Sequence, residues 1–205
     1  MKKTNLILIL SLILISGCAI TGQVIKDSCI DETNSALKDD CYVKLAVNTT
    51  NLDFCKKIED KRTANSCYAK AAKEFSTCNL IEDDIYWRDI CFKSVAESTL
   101  DVSLCFLIVD QESKNTCFYN IALDKIEVDL CKPITKDSKR DTCMYEIAKE
   151  TNDISICPLI STKYNQNACL FKIAVNTQNS TICDMIDIVF MKQKCFNKIN
   201  STLIS

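Results

Sequence analysis

The chain has 205 residues, with 25 Lys and Arg against 27 Asp and Glu and no histidine. The lack of histidine removes the commonest general base, the usual nucleophile triads and most zinc sites, and the near-neutral balance lacks the concentrated basic surface of a nucleic-acid binder. The informative extremes are two glycines and fifteen cysteines, Cys18 among them: too little glycine for phosphate-cradling loops or tight β-hairpins, and enough cysteine for a disulfide framework.

The N-terminus reads Met1-Lys2-Lys3, then an apolar run from Leu6 to Ile15 broken only by Ser11, then Ser16-Gly17-Cys18. A basic start, a short apolar stretch and small residues before a cut form an export signal, and the stretch is short for a bilayer span. Residues 15–18 resemble the lipobox of bacterial and archaeal lipoproteins. That resemblance implies a signal peptide over 1–17, lipid attached through the Cys18 sulfur, and a tether over 18–28. An ordinary cleaved signal or an uncleaved anchor are the alternatives. Cleavage removes Lys2 and Lys3 but no acid, leaving 23 basic and 27 acidic residues.

The remaining fourteen cysteines divide residues 29–205 into seven units that start at Cys29, Cys55, Cys78, Cys105, Cys131, Cys157 and Cys183, a period of about 26 residues that marks a repeat architecture. Three residues after the first cysteine stands Ile58, Ile81, Ile108, Ile134, Ile160 or Ile186. Two residues before it stands Asp53, Ser76, Ser103, Asp129, Ser155 or Thr181, residue types that cap helix starts. Pro133 and Pro158 follow first cysteines, where an opening turn tolerates them. A capped helix of about two turns is therefore expected to open each unit.

The second cysteine of each unit is followed by a large apolar residue, from Tyr42 to Phe196; four positions on comes an apolar residue, from Leu45 to Ile199. Alanine follows at five positions on: Ala46, Ala72, Ala96, Ala122, Ala148 and Ala174. These positions share one helical face, so a second, amphipathic helix with a point of close approach is expected. The fold class is all-α: an α-solenoid of about seven short helical hairpins in which each hairpin contacts its neighbours. Glu32 in the first unit and Asn200 in the last replace the isoleucine and the alanine, as terminal repeats require.

Helical geometry alone allows cysteines to pair within or between units. Pairing within units uses all fourteen, whereas pairing between units strands Cys29 and Cys195. The expected bridges are Cys29–Cys41, Cys55–Cys67, Cys78–Cys91, Cys105–Cys117, Cys131–Cys143, Cys157–Cys169 and Cys183–Cys195, one per hairpin.

Little in the chain suggests catalysis. No metal-spaced acid cluster, redox pair or phosphate loop occurs, so the chain is read as no enzyme, with no cofactor and no metal. Lys38, Arg88, Lys114, Arg140 and Lys192 recur three residues before the second cysteine. They form either local ion pairs, such as Asp137 with Arg140, or a basic ladder facing an acidic peptide or glycan. Trp87 beside Arg88 reads as packing. Sequons at Asn48, Asn179 and Asn200 are about as frequent as chance gives and mark possible N-glycosylation.

The expected protein is exported, anchored in a membrane by lipid and facing the extracytoplasmic side. It serves as a binding or scaffolding module for an extracellular protein, peptide or glycan and not for nucleic acid. A structural envelope spacer, or a protease-resistant adhesin or inhibitor, is the alternative. Its repeats loosely resemble Sel1-type and tetratricopeptide helical hairpins in spacing, aromatic positions and recurrent alanine. Those repeats are longer and lack paired cysteines, so the likeness implies architecture alone.

Overall fold

A computed structural model describes residues 29–202; the signal segment, Cys18 and the tether lie outside the described residues. The described residues are helical and contain no strand. Each unit pairs a short turn bearing the first cysteine with a long helix bearing the second. The long helices are α1 (Ser35–Thr49), α2 (Lys61–Ala71), α4 (Ile85–Thr99), α5 (Gln111–Lys125), α6 (Asp137–Thr151), α7 (Lys163–Thr177) and α9 (Val189–Thr202). The short elements α3 (Phe75–Cys78) and α8 (Ser180–Asp184) are single α turns; Cys55–Lys57, Val102–Leu107, Val128–Cys131 and Ile154–Leu159 are 3₁₀ turns. Successive long helices pack on one another down the chain, which makes the molecule a solenoid of hairpin-like units.

All seven disulfides close within units, with Cα–Cα distances of 5.5–5.8 Å. Thirteen of the fourteen sulfurs belong to buried residues; Cys41 is half-buried.

The opening helix differs from expectation. It reaches two turns only in Val102–Leu107 and Ile154–Leu159, which are 3₁₀ and not α, and is about one turn elsewhere; Pro158 lies in its final turn and Pro133 just beyond it. In three units the capping residue lies two positions earlier than the sequence suggested. Asp101, Asp153 and Asn179, four residues before the first cysteine, accept bonds from the N–H and hydroxyl of Ser103, Ser155 and Thr181. Ser103, Ser155 and Thr181, expected as caps, are thus donors. The Ser155 hydroxyl, and then its N–H, hold the Asp153 carboxylate below its ordinary value.

Five of the long helices start on Asn, Asp or Thr caps, and α6 follows Lys136 without a side-chain cap. Asn34, Asp60, Asp84, Asp110 and Thr162 accept from N–H groups three residues on. They stop without glycine: Thr50, Leu100, Ile126, Asn152 and Gln178 adopt left-handed backbone with φ of 54–55°. In four of them a backbone bond to the recurrent alanine closes the stop. Its carbonyl accepts the N–H of the residue after the left-handed one, from Asp101 to Ala96, Glu127 to Ala122, Asp153 to Ala148 and Asn179 to Ala174. This is the long bond of a Schellman motif. This bonding holds even β-branched Ile126 in a conformation that costs about 1–2 kcal/mol.

The expected stripe forms the core. The isoleucines after the first cysteines, the large residues after most second cysteines and all six alanines are buried. A polar column runs beside it. Asp39, Asn65, Asp89, Asn115, Asp141 and Asn167, each two residues before a second cysteine, are buried as well. Five of them reach into the next unit. Asp39 accepts from the N–H groups of Glu59 and Asp60, and Asp89 from those of Val109 and Asp110. Asn115 accepts from Thr135, Asp141 from the N–H and hydroxyl of Ser161, and Asn167 from Asp187 and Ile188. Each clamps the turn that leads into the following long helix. A buried carboxylate is tolerable when backbone N–H groups bond it. Asp and Asn alternate down the column, so adjacent units never bury like charges.

The column is interrupted once. Asn65 makes no such bond among the described residues, and α2 has 11 residues where its neighbours have 15. It ends at Ala72 with φ of −59° instead of a left-handed residue. The core divides here: Ala71 packs with the first two units, while Ala69 and Ala72 pack with the rest. The Trp87 indole N–H is buried at this junction without a hydrogen-bond partner among the described residues, and the Lys70 ammonium lies 5.7 Å from the centre of its ring.

Candidate ligand groove

The basic column does not form one continuous surface of free cations. Arg140 bonds the Ile134 carbonyl at 3.2 Å and Asp137 at 2.6 Å, and Lys192 bonds the Asp184 carbonyl at 2.7 Å. Gln166, which interrupts the column in sequence, makes the same bond to Ile160 at 2.7 Å. The shared position therefore ties the end of the short turn back to its own long helix. Lys38, Arg88 and Lys114 are half-buried, and no side-chain partner for them is seen among the described residues. Trp87 packs against the main core and stands edge-on to Tyr86 at 5.1 Å.

The three sequon asparagines are exposed. Asn48 lies in the last turns of α1 and Asn200 near the end of α9, whereas the Asn179 side chain caps α8.

A different surface stands out. Between α6, α7 and α9 lies an open groove of about 280 Å³. Its walls are Tyr164 and Phe190, 66% and 72% exposed, in the first turns of α7 and α9. Ala168, one turn beyond Tyr164, keeps the floor low. Tyr145, Phe171 and Met191 complete the apolar lining, each half-buried and packed on the core. Lys172 and Lys194 border the groove, with the Lys194 ammonium 5.9 Å from the centre of the Phe171 ring. Neither lysine has an ion-pair partner among the described residues, and no acidic residue lines the groove.

The solenoid assembles this site from positions that the repeat leaves variable. Five residues before the second cysteine, the units carry Ala36, Arg62, Tyr86, Glu112, Ser138, Tyr164 and Phe190. Helical rise places that residue, the one before the cysteine and the one two after it on a shared face. In α5 that face begins with Glu112, which pairs with Lys139 and Lys136. Tyr86 is exposed too, but the hollow beside it is lined by Lys61, Arg62, Asn65, Asp83 and Asp84. The opening between α5 and α6 is acidic, with Asp124, Glu146 and Glu150. An apolar, cationic groove occurs among these hollows only at α6, α7 and α9.

Among the described residues no cluster of His, Cys, Asp or Glu is arranged to hold a metal, and no helix is long and apolar enough to cross a membrane. The sequence reading missed the groove because its residues span positions 145–194. The readable signal was a column that fails to repeat: Tyr164 and Phe190 where Glu112 and Ser138 stand in the preceding units. No family model, curated protein or solved structure matches the chain.

Proposed function

We propose that this protein is an exported, lipid-anchored helical-repeat module that binds a partner through the groove of α6, α7 and α9. The observation that carries the reading is the exposure of Tyr164 and Phe190 around one apolar hollow, at the helix position where the two preceding units bear Glu112 and Ser138. Aromatic side chains that the fold does not need, gathered in a concave surface, are the usual anchors of a recognition site.

The compartment supports the reading. Seven disulfides belong to an oxidising, extracytoplasmic environment. Lipidation of Cys18 rests on the lipobox-like residues 15–18, and it would fix the N-terminal units near the membrane. The groove, in the sixth and seventh units, then lies at the end of the repeat array remote from the anchor. The module acts by holding a ligand, with no chemical step of its own.

A photo-reactive residue placed at position 190 tests this in the native envelope, with the same residue at position 138 as control. Capture of a partner from 190 and not from 138 supports the reading. Recovery of nothing but the protein itself defeats it. Release of the chain from membranes by Cys18→Ala, and a lipid mass on the mature N-terminus, test the anchor separately.

A further inference from the structure

We infer that the occupant of the groove is an acidic, apolar peptide segment: an extended stretch of another protein that carries carboxylates beside aliphatic or aromatic side chains. This rests on the binding role proposed above and adds the chemistry of the ligand.

The lining sets both halves of that description. Tyr145, Phe171, Met191 and the methyl of Ala168 form an apolar floor, and the exposed rings of Tyr164 and Phe190 rise beside it. Such a surface gains by taking up apolar side chains, at about 25 cal/mol for each Å² removed from water. Tyrosine and phenylalanine also do so at low conformational cost, having few torsions to fix.

Charge supplies the other half. Lys172 and Lys194 border the groove, no acid lines it, and neither ammonium is paired among the described residues. The whole chain carries a net charge of −2, so a local excess of two cations runs against the trend of the sequence. Beside α5 and α6 the comparable opening presents carboxylates instead. An acidic segment is drawn to the first surface and repelled by the second, which fixes where along the solenoid it settles.

The polar inventory separates a peptide from a saccharide. Lysine ammoniums only donate hydrogen bonds, and ionised carboxylates only accept them, so the two match without remainder. Sugar hydroxyls need acceptors as well as donors. The groove lining offers no carboxylate or amide side chain for that purpose; its side-chain acceptors are the hydroxyls of Tyr145 and Tyr164 and the weakly accepting Met191 thioether.

The test uses the full folded chain and a fluorescent peptide in which Glu alternates with Leu and Phe. The companion probes are the same peptide with Gln for Glu and an oligosaccharide of uronic acids. The expected result is binding of the Glu peptide at least about tenfold tighter than the Gln peptide, weakening as salt rises. Phe190→Ala should reduce affinity by roughly tenfold or more, as the loss of an aromatic anchor does, with its melting temperature showing that the fold persists. Replacing both lysines, Lys172→Gln with Lys194→Gln, should erase the preference for Glu over Gln.

Equal affinity for the two peptides overturns the inference, as does full displacement of the Glu peptide by the uronic oligosaccharide. So does self-association of the chain that Phe190→Ala abolishes. Failure of the ligand class is distinct from failure of the binding role. A native partner crosslinked at position 190 through a segment lacking Asp and Glu refutes the acidic peptide and leaves the module standing. No partner at that position defeats both.

Discussion

The fourth and fifth units and the sixth and seventh share one scaffold and carry different surfaces. In both pairs a disulfide joins a short turn to a long helix, isoleucines and alanines fill the core, and buried Asn115 and Asn167 clamp the next unit. On the long-helix face, however, Glu112 and Ser138 give way to Tyr164 and Phe190. Both sets stand on the same backbone, and Tyr164 and Phe190 stay largely exposed, so the core is built without enclosing these rings. A repeat protein thus separates two demands that a compact globule mixes: columns that recur hold the structure, and columns that break are free for recognition.

Altering recurrent positions sharpens this contrast most. Phe118, 1% exposed, stands edge-on to Phe106 at 4.9 Å in the core of the fourth unit. Phe118→Ala should cost about 3–5 kcal/mol, measured by denaturant unfolding with the disulfides intact. A cost near zero would break the division between structural and free columns.

The polar column should show an intermediate effect that depends on the unit. Asp141→Ala leaves the N–H and hydroxyl of Ser161 without their acceptor, and should cost about 2–3 kcal/mol. Asn65→Ala, at the junction where the clamp is absent, should cost less than half as much in the same assay. Equal losses would mean that the column stabilises each helix locally rather than fixing one unit on the next.

A smaller effect of opposite sign is expected at Ile126. This β-branched residue holds a φ of 55° and is half-exposed. Asn152 occupies the equivalent place one unit later, and asparagine tolerates left-handed backbone well. Ile126→Asn should therefore stabilise the protein by about 0.5–1 kcal/mol, seen as a rise in melting temperature. A fall would show that the Ile126 side chain contributes packing that outweighs its backbone strain.

Much of the scaffold was legible because its determinants are local and repeat. The cysteine register, the isoleucine after each first cysteine and the stripe from Phe118 to Ala122 each pair a fixed spacing with an apolar side chain. The short turns were misread because a capping residue and the donor two places later are similar polar types: Asp101 and Ser103 form one cap, and spacing does not say which accepts. The column of Asp39, Asn65 and their successors was visible as a pattern but lay next to buried cysteines. Its polarity concealed burial that only the neighbouring backbone N–H groups make affordable. The groove was least legible. Tyr145, Phe171 and Phe190 come from three units, and stacking brings them together where sequence separation hides it.

The central claim is that Tyr164 and Phe190 serve recognition and not the fold. The most direct measurement is the melting temperature of the doubly substituted chain, Tyr164→Ser with Phe190→Ser, alongside capture of a partner in the native envelope from a photo-reactive residue at exposed position 197 of α9. The account predicts a melting temperature within about 2 °C of the parent, as for exposed positions, together with loss of capture that the parent sequence shows. A large drop in melting temperature, or undiminished capture, would contradict it.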